Sequence, residues 1–154
     1  MTGSSPELPA AYDMFTESYV RPILRIDGTV NFTIAFDLNA AGQVVLLPVR
    51  QIVPLPPLPR GGTVSIGLEK STTPFDLVTY AANSGYTQDS TQIASVGDTY
   101  LMRLAAAGCA YGEPYYGKLV IDSIIVAERR MVVRTLTNRN CGGYRSLAAG
   151  LPKD

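Results

Sequence analysis

The stretch TVNFTIAF, Thr29 to Phe36, decides the fold class. Val30, Phe32, Ile34 and Phe36 fall on one parity, and Asn31, Thr33 and Ala35 on the other. A period of two predicts a half-buried strand, the first set on a core and the second toward solvent. Upstream, YVRPILRI (19–26) carries Pro22, which gives no amide to a ladder and so marks an edge strand or a bulge. Asp27-Gly28 between the two runs is a tight-hairpin signal. Downstream, FDLNAAGQVVLLPV reads as strand, turn over Asn39 to Gly42, and a strand from Val44 to Val49.

The same pattern continues along the chain. TVSIGLEK (63–70), FDLVTYA (75–81), DTYLMRLA (98–105), YYGKLVIDSIIVAE (115–128) and RRMVVRTLTN (129–138) read as strands, with a turn near Glu128 and Arg129. ANSGYTQDSTQ (82–92) between two of them is polar and reads as a loop. No run has a convincing 3.6-residue period. Short strands separated by turn chemistry predict an all-β chain: a single antiparallel β-sandwich, or flattened barrel, of eight to nine strands. Residues 1–18 are polar and without a period, so an irregular N-terminal arm is expected there. The sandwich domain then spans 19–147 and a C-terminal tail 148–154.

Composition supports one domain. A chain of 154 residues can bury a real core, and 46% apolar residues supply it. Charged residues are only 17%, against roughly 25% in ordinary soluble domains. Thirteen basic residues balance thirteen acidic ones, so no net field draws nucleic acid or an anionic membrane. There is no histidine. That removes the usual general base near neutral pH, the histidine-dependent nucleophile arrangements and the commonest metal ligand. A non-catalytic chain without cofactor or metal is the expectation. No run reaches the ~18–20 apolar residues of a membrane span, so no transmembrane segment of its own is expected. The start, MTGSSPELPAAYDMF, lacks the pattern of a secretion signal. The chain is then cytoplasmic, or a mature chain whose signal has been removed.

VPLPPLPRGG (53–62) invites comparison with proline-rich docking peptides. Arg60 follows Pro59 directly, without the intervening residue of the arginine-terminated motif. A stiff crossing, released by Gly61-Gly62 into the next strand, is the better reading. DLNAAG (37–42) has two oxygen donors and a glycine of a calcium loop but lacks its terminal glutamate, and reads as a turn. Carboxylate chemistry would have to draw on Asp76, Asp89, Asp98, Asp122 and Glu128, which nothing in the sequence brings together. Asn31 opens an NFT glycosylation sequon, but within a predicted strand.

Cys109 and Cys141 both lie in glycine-rich stretches, AAGCAYGEP and NRNCGGYRS. A disulfide between them would close a 33-residue loop (109 to 141 inclusive) and contribute ~3–4 kcal/mol in the chain-entropy account. It would place the chain in an oxidising compartment; the alternative is two separate thiols. Tyr111, Tyr115 and Tyr116 cluster with glycine and proline as a candidate contact loop, since tyrosine offers contact area at low entropic cost. The C-terminal stretch NRNCGGYRSL (138–147), with Tyr144, is a second candidate surface, and the basic cluster Arg129, Arg130, Arg134, Arg139 and Arg145 suits an acidic partner unless its strand members alternate between faces.

SGYTQDSTQIASVGDTYLMRL (84–104), followed by YYGKLVIDSI and MVVRTLTN, resembles a β-sandwich module of exported bacterial envelope proteins and lipoproteins. The matching positions are Ser84, Gly85, Tyr86, Gly97, Tyr100, Arg103, Tyr116, Lys118, Leu119 and Ile121, with Phe36 to Leu38 similar too. The resemblance spans roughly residues 29–137. It departs at the proline crossing and at the AAGCAYGEP insertion. It implies a periplasmic or envelope location and an interaction role, with protein partners in a membrane-bound complex, and no assigned reaction. The expected function is therefore a non-catalytic structural or interaction subunit, peripheral to a bacterial membrane complex. A carbohydrate or small-ligand binding module of the envelope is the alternative, and a carboxylate-dependent hydrolase the second alternative.

Overall fold

The computed structural model describes residues 11–14, 16–21, 23, 30–52, 65–87, 91–105, 114–128, 130–140 and 144–148. Among these, nine strands form two antiparallel sheets, and there is no α-helix. No helix among the described residues is long and apolar enough to cross a membrane. One sheet has the order β2-β1-β3-β4-β6, built from β1 (Ala11–Asp13), β2 (Ser18–Val20), β3 (Ile34–Leu38), β4 (Val44–Pro48) and β6 (Gln92–Ala94). The other has the order β5-β7-β8-β9, built from β5 (Ser65–Ser71), β7 (Thr99–Ala105), β8 (Tyr115–Ile125) and β9 (Arg130–Asn138).

The two sheets share one apolar core. Ile34, Phe36, Val44 and Leu46 of the first meet Ile66, Leu68, Tyr100, Met102, Leu104, Leu119 and Ile121 of the second. Alternation along each strand dictates this, because every second side chain points inward. In β8 the first seven residues are all buried, as in a strand covered on both faces.

The turn over Asn39 to Gly42 forms as the sequence requires. Asn39 Oδ1 accepts from the amides of Ala41 and Gln43, each at 3.0 Å, and Gly42 takes φ 77°, where a side chain would be strained. β8 and β9 are joined through a 3₁₀ turn at Val126–Glu128, with a register shift between Ile121 and Ser123.

Four expectations are corrected. The arm is not irregular throughout: Ala11, Tyr12 and Asp13 form a buried strand, and Met14 is fully enclosed. This strand lies between β2 and β3, so Ser18–Val20 pairs with β1 and not with Ile34–Ala35, while Arg21 and Ile23 still bond the side chain of Asn31; the hairpin expected between them lies mostly outside the described residues. A three-residue strand shows no period, which is why it cannot be read from sequence.

The alternation in TVNFTIAF also slips. Ile34 and Phe36 face the inter-sheet core, whereas Val30 and Phe32 join Ala35, Val49 and Ala11 on the opposite face. The slip occurs at Thr33, which is fully buried rather than exposed. Its amide and hydroxyl both donate to the Tyr12 carbonyl, at 2.9 and 3.1 Å, and its hydroxyl accepts from Met14 N at 3.1 Å. These bonds give the chain a reason to break its own pattern there.

Third, FDLVTYA is not a ladder strand. Phe75–Leu77 forms a 3₁₀ turn after Pro74, and only Tyr80 then makes an isolated antiparallel bridge, to Ser146. Fourth, the end of the 82–92 loop enters β6, which pairs with β4 from Val44↔Ala94 to Leu46↔Gln92. The hairpin residues Asp27 and Gly28, the proline stretch 53–62, and Cys109, Tyr111, Arg129 and Cys141 lie outside the described residues.

Candidate interaction surface

The outer face of the four-stranded sheet is where the chain departs from simple alternation. Leu101 of β7, Tyr116 and Lys118 of β8, and Leu136 and Arg134 of β9 point away from the core. Two non-ladder segments cross over them, Pro74–Ala82 and Tyr144–Ala148.

The first segment is fastened by cations. Lys118 is 4% exposed, and its ammonium donates to the carbonyls of Phe75 at 2.7 Å and Val78 at 2.8 Å. It also lies 4.4 Å from the centre of the Phe75 ring. Desolvation lowers its pKa below the ordinary lysine value, only partly opposed by Asp76. Arg134 approaches the same ring at 4.9 Å. Its guanidinium grips Asp122 in two bonds, Nε to Oδ2 at 2.6 Å and Nη2 to Oδ1 at 3.0 Å, and reaches Asp76 at 3.1 Å. The hydrogen bonds it donates to both carboxylates raise its pKa above the ordinary arginine value.

The second segment pairs with the first. Ala81 N donates to Arg145 O at 2.8 Å, and Leu147 N to Thr79 O at 2.9 Å. Asn138 Nδ2 donates to Ser146 O at 2.9 Å, joining this segment to the end of β9. Leu147 is fully buried among Val78, Ala81, Leu101, Tyr116 and, partly buried, Leu136. Tyr86 continues the cover. Its hydroxyl donates to Ala82 O at 3.0 Å, its ring is 6.2 Å from that of Tyr116, and its Cβ sits over the bare backbone of Gly67. Burial, then the nearby Glu69 carboxylate, pushes the Tyr86 phenol well above its usual pKa.

Beside the first segment is an open depression of about 290 Å³, lined by Ser71, Thr73, Leu77, Val78, Tyr80 and Leu101 among others. The three most exposed large apolar side chains among the described residues all stand on these covering segments: Leu77 (69%), Tyr80 (65%) and Tyr144 (61%). Arg145 lies 5.8 Å from the Tyr80 ring and donates to Ala81 O.

The residues singled out from the sequence divide cleanly. Tyr115 is in the inter-sheet core and Tyr116 lies beneath the covering segments; both rings are buried. Arg130 opens β9. Arg139 pairs with Glu17 at 3.3 Å, while Tyr144 is exposed and Arg145 beside it is half-buried. Of the carboxylates, Asp76 and Asp122 are brought together, but on the guanidinium of Arg134; Asp98 pairs with Lys70 at 3.2 Å. Among the described residues no group of three or more His, Cys, Asp or Glu could hold a metal.

Sequence reading missed Leu77, Tyr80 and Leu147. The available signal was Pro74, which argues against a ladder strand and so frees the following apolar residues to face outward. Three of the positions on which the expected resemblance was drawn carry packing duties: Gly97 takes φ 90° and donates to Ile121 O at 2.7 Å, Tyr100 fills the core, and Lys118 fastens the cover. No family model, curated protein or solved structure matches the chain.

Proposed function

We propose that this chain is a non-catalytic interaction subunit, a single β-sandwich module that docks a protein partner through the covered face of its four-stranded sheet. The observation carrying this reading is the pair Leu77 and Tyr80, each more than three-fifths exposed, on the rim of one depression, with a third exposed ring, Tyr144, on the segment that pairs with theirs. Exposed apolar groups cost solvation, and their clustering, unlike their scatter, marks contact surfaces. Arg145 beside Tyr80 adds the cation most favoured at interfaces. Location in a bacterial envelope, peripheral to a membrane complex, rests on the resemblance of residues 29–137.

Native gel electrophoresis of gently solubilised source membranes, with mass spectrometry, tests it. Wild type is expected in a large assembly, and a Leu77→Glu/Tyr80→Glu variant, folded because both side chains already meet water, outside it. Wild type migrating alone near its 16.5 kDa mass overturns the reading. A second reading has one observation in its favour, the Tyr80 ring beside hydroxyl-bearing Ser71 and Thr73 in the depression. An aromatic platform with flanking hydroxyls suits a sugar face, and a thermal-shift screen against glycans decides it.

A further inference from the structure

We propose that the groove holding Tyr144–Leu147 is a peptide-recognition groove. It is occupied in cis by the chain's own C-terminal segment, and in trans it accepts an extended partner segment with an arginine two residues before a leucine. This rests on the interaction role proposed above and names the chemistry of the partner. Three features of the seated segment are those of strand addition, in which main-chain bonds give affinity and alternate side chains give specificity. The backbone pairing is reciprocal, from Ala81 N to Arg145 O and from Leu147 N to Thr79 O, around the antiparallel Tyr80↔Ser146 bridge. Asn138 binds the Ser146 carbonyl, which any residue at that position would offer.

The side chains supply selectivity. Leu147 fills an apolar socket completely, and a socket of that kind discriminates against a polar or charged occupant. Arg145 lies outside the socket, donating to Ala81 O at 3.3 Å and approaching the Tyr80 ring. The intervening Ser146 is read only through its backbone among the bonds above. The pattern recognised is therefore Arg-x-Leu in an extended conformation. A tethered segment competes at an effective concentration of order mM, so the groove is masked until Tyr144–Leu147 is displaced.

The test uses the full-length chain and a fluorescein-labelled peptide of sequence GYRSLAA, followed by anisotropy. Leu147→Glu removes the cis anchor while leaving the groove intact. The peptide is expected to bind this variant at least tenfold more tightly than wild type, and the same peptide with glutamate for leucine to bind neither. Equal binding to both proteins, or none to a folded Leu147→Glu, overturns the proposal. If that variant does not fold, wild type is titrated with excess peptide and the Leu147 methyl resonances are followed. Movement to solvent-exposed positions supports the groove, and their persistence at saturating peptide overturns it. Leu77→Glu alone, which leaves Tyr80 and the groove contacts in place, separates the two proposals: loss of the membrane assembly reports on the docking face, and peptide binding reports on the groove.

Discussion

The two outer faces of the molecule are covered in different ways. On the five-stranded sheet, Ala11, Val30, Phe32, Ala35 and Val49 form an apolar cluster, helped by Val20, Leu47 and Ile52, with fewer fastenings among the described residues: a main-chain bond from Val49 to Thr33 and the bonds of Asn31. On the four-stranded sheet the cover is two irregular segments, fastened by Lys118, Arg134, Asn138 and a pair of main-chain bonds. An apolar cover forms wherever area is removed from water and is non-directional. A cover held by directional bonds to carbonyls has one seat, and can leave it without dissolving the core beneath. The first face is thus expected to unfold with the whole protein and the second to open by itself.

The largest effects test that contrast directly. Phe32→Ala, at 2% exposure, is expected to cost ~3–5 kcal/mol and to lower the denaturant midpoint of every probe together. Leu147→Ala is expected to cost less, ~2 kcal/mol at the low end for a leucine, because the segment above it can settle into the space. Its signature is local: amide exchange at Ala81 and Leu147 should accelerate while the β7 and β8 amides keep their protection. If Leu147→Ala accelerates all of them equally, the two faces belong to one cooperative unit and the contrast fails.

The contrast also explains what was legible in the sequence. The hairpin of β3 and β4 and the long strands β5, β7, β8 and β9 follow from alternation and turn residues. Each is long enough to show a period, and each turn has its own chemistry, as Asn39 and Gly42 show. β1 and β6 were hidden because three residues carry no period. The parity slip at Thr33 was hidden for another reason: it is imposed by bonds to Tyr12 and Met14, remote in sequence from TVNFTIAF. The candidate surface was half legible. Tyr144 and Arg145 were picked out by residue type, but Leu77 and Tyr80 sat in a stretch whose alternation mimics a strand. What turns that stretch outward is Lys118, some forty residues away, which takes the carbonyls of Phe75 and Val78.

Sharper tests act on the fastenings. Lys118→Met keeps the apolar stem and removes the ammonium's two bonds, leaving the Phe75 carbonyl with only the longer bond from Val78 N. A loss of ~1–3 kcal/mol is expected, with faster exchange in the 75–82 segment. No loss would mean that the desolvation cost of the ammonium cancels its bonds. Gly67→Ala places a Cβ 2.6 Å from the Tyr86 Cβ, close to the backbone where nothing flexible can yield. Overpacking of about 1–3 kcal/mol is expected, read in chemical denaturation and accompanied by a shift of the Tyr86 ring resonances.

Stability at alkaline pH follows from the phenols. Burial raises the pKa values of Tyr12, Tyr19, Tyr86 and Tyr100 above the usual 10.0. Above pH 10 the unfolded chain releases these protons while the folded chain keeps them, so stability falls as pH rises through that window. Lys118 acts oppositely: its lowered pKa makes the unfolded chain hold the extra proton, so its contribution to stability grows with pH up to the ordinary lysine value of 10.5. Four phenols against one ammonium give a net loss above pH 10. Thermal unfolding from pH 8 to 11 checks this, and a midpoint that rises above pH 10 would contradict it.

The smallest effect is expected at the most conspicuous contact. Arg134 binds Asp122 in a fork and Asp76 with its remaining arm, yet its side chain is 47% exposed and that of Asp76 75%. Water and salt screen charges so placed, and exposed pairs contribute little. Arg134→Ala should therefore shift the thermal midpoint least of the set, and the shift should vanish at about 1 M salt, where screening acts within about 3 Å. Arg134→Lys should recover part of it at low salt, since a point charge cannot reproduce the fork. A shift that persists undiminished in high salt would assign the role to packing of the guanidinium on Phe75. The covering segment would then be held on that side by contact area, as the opposite face of the molecule is, and the directional fastening would rest on Lys118 and the Tyr144–Leu147 pairing alone.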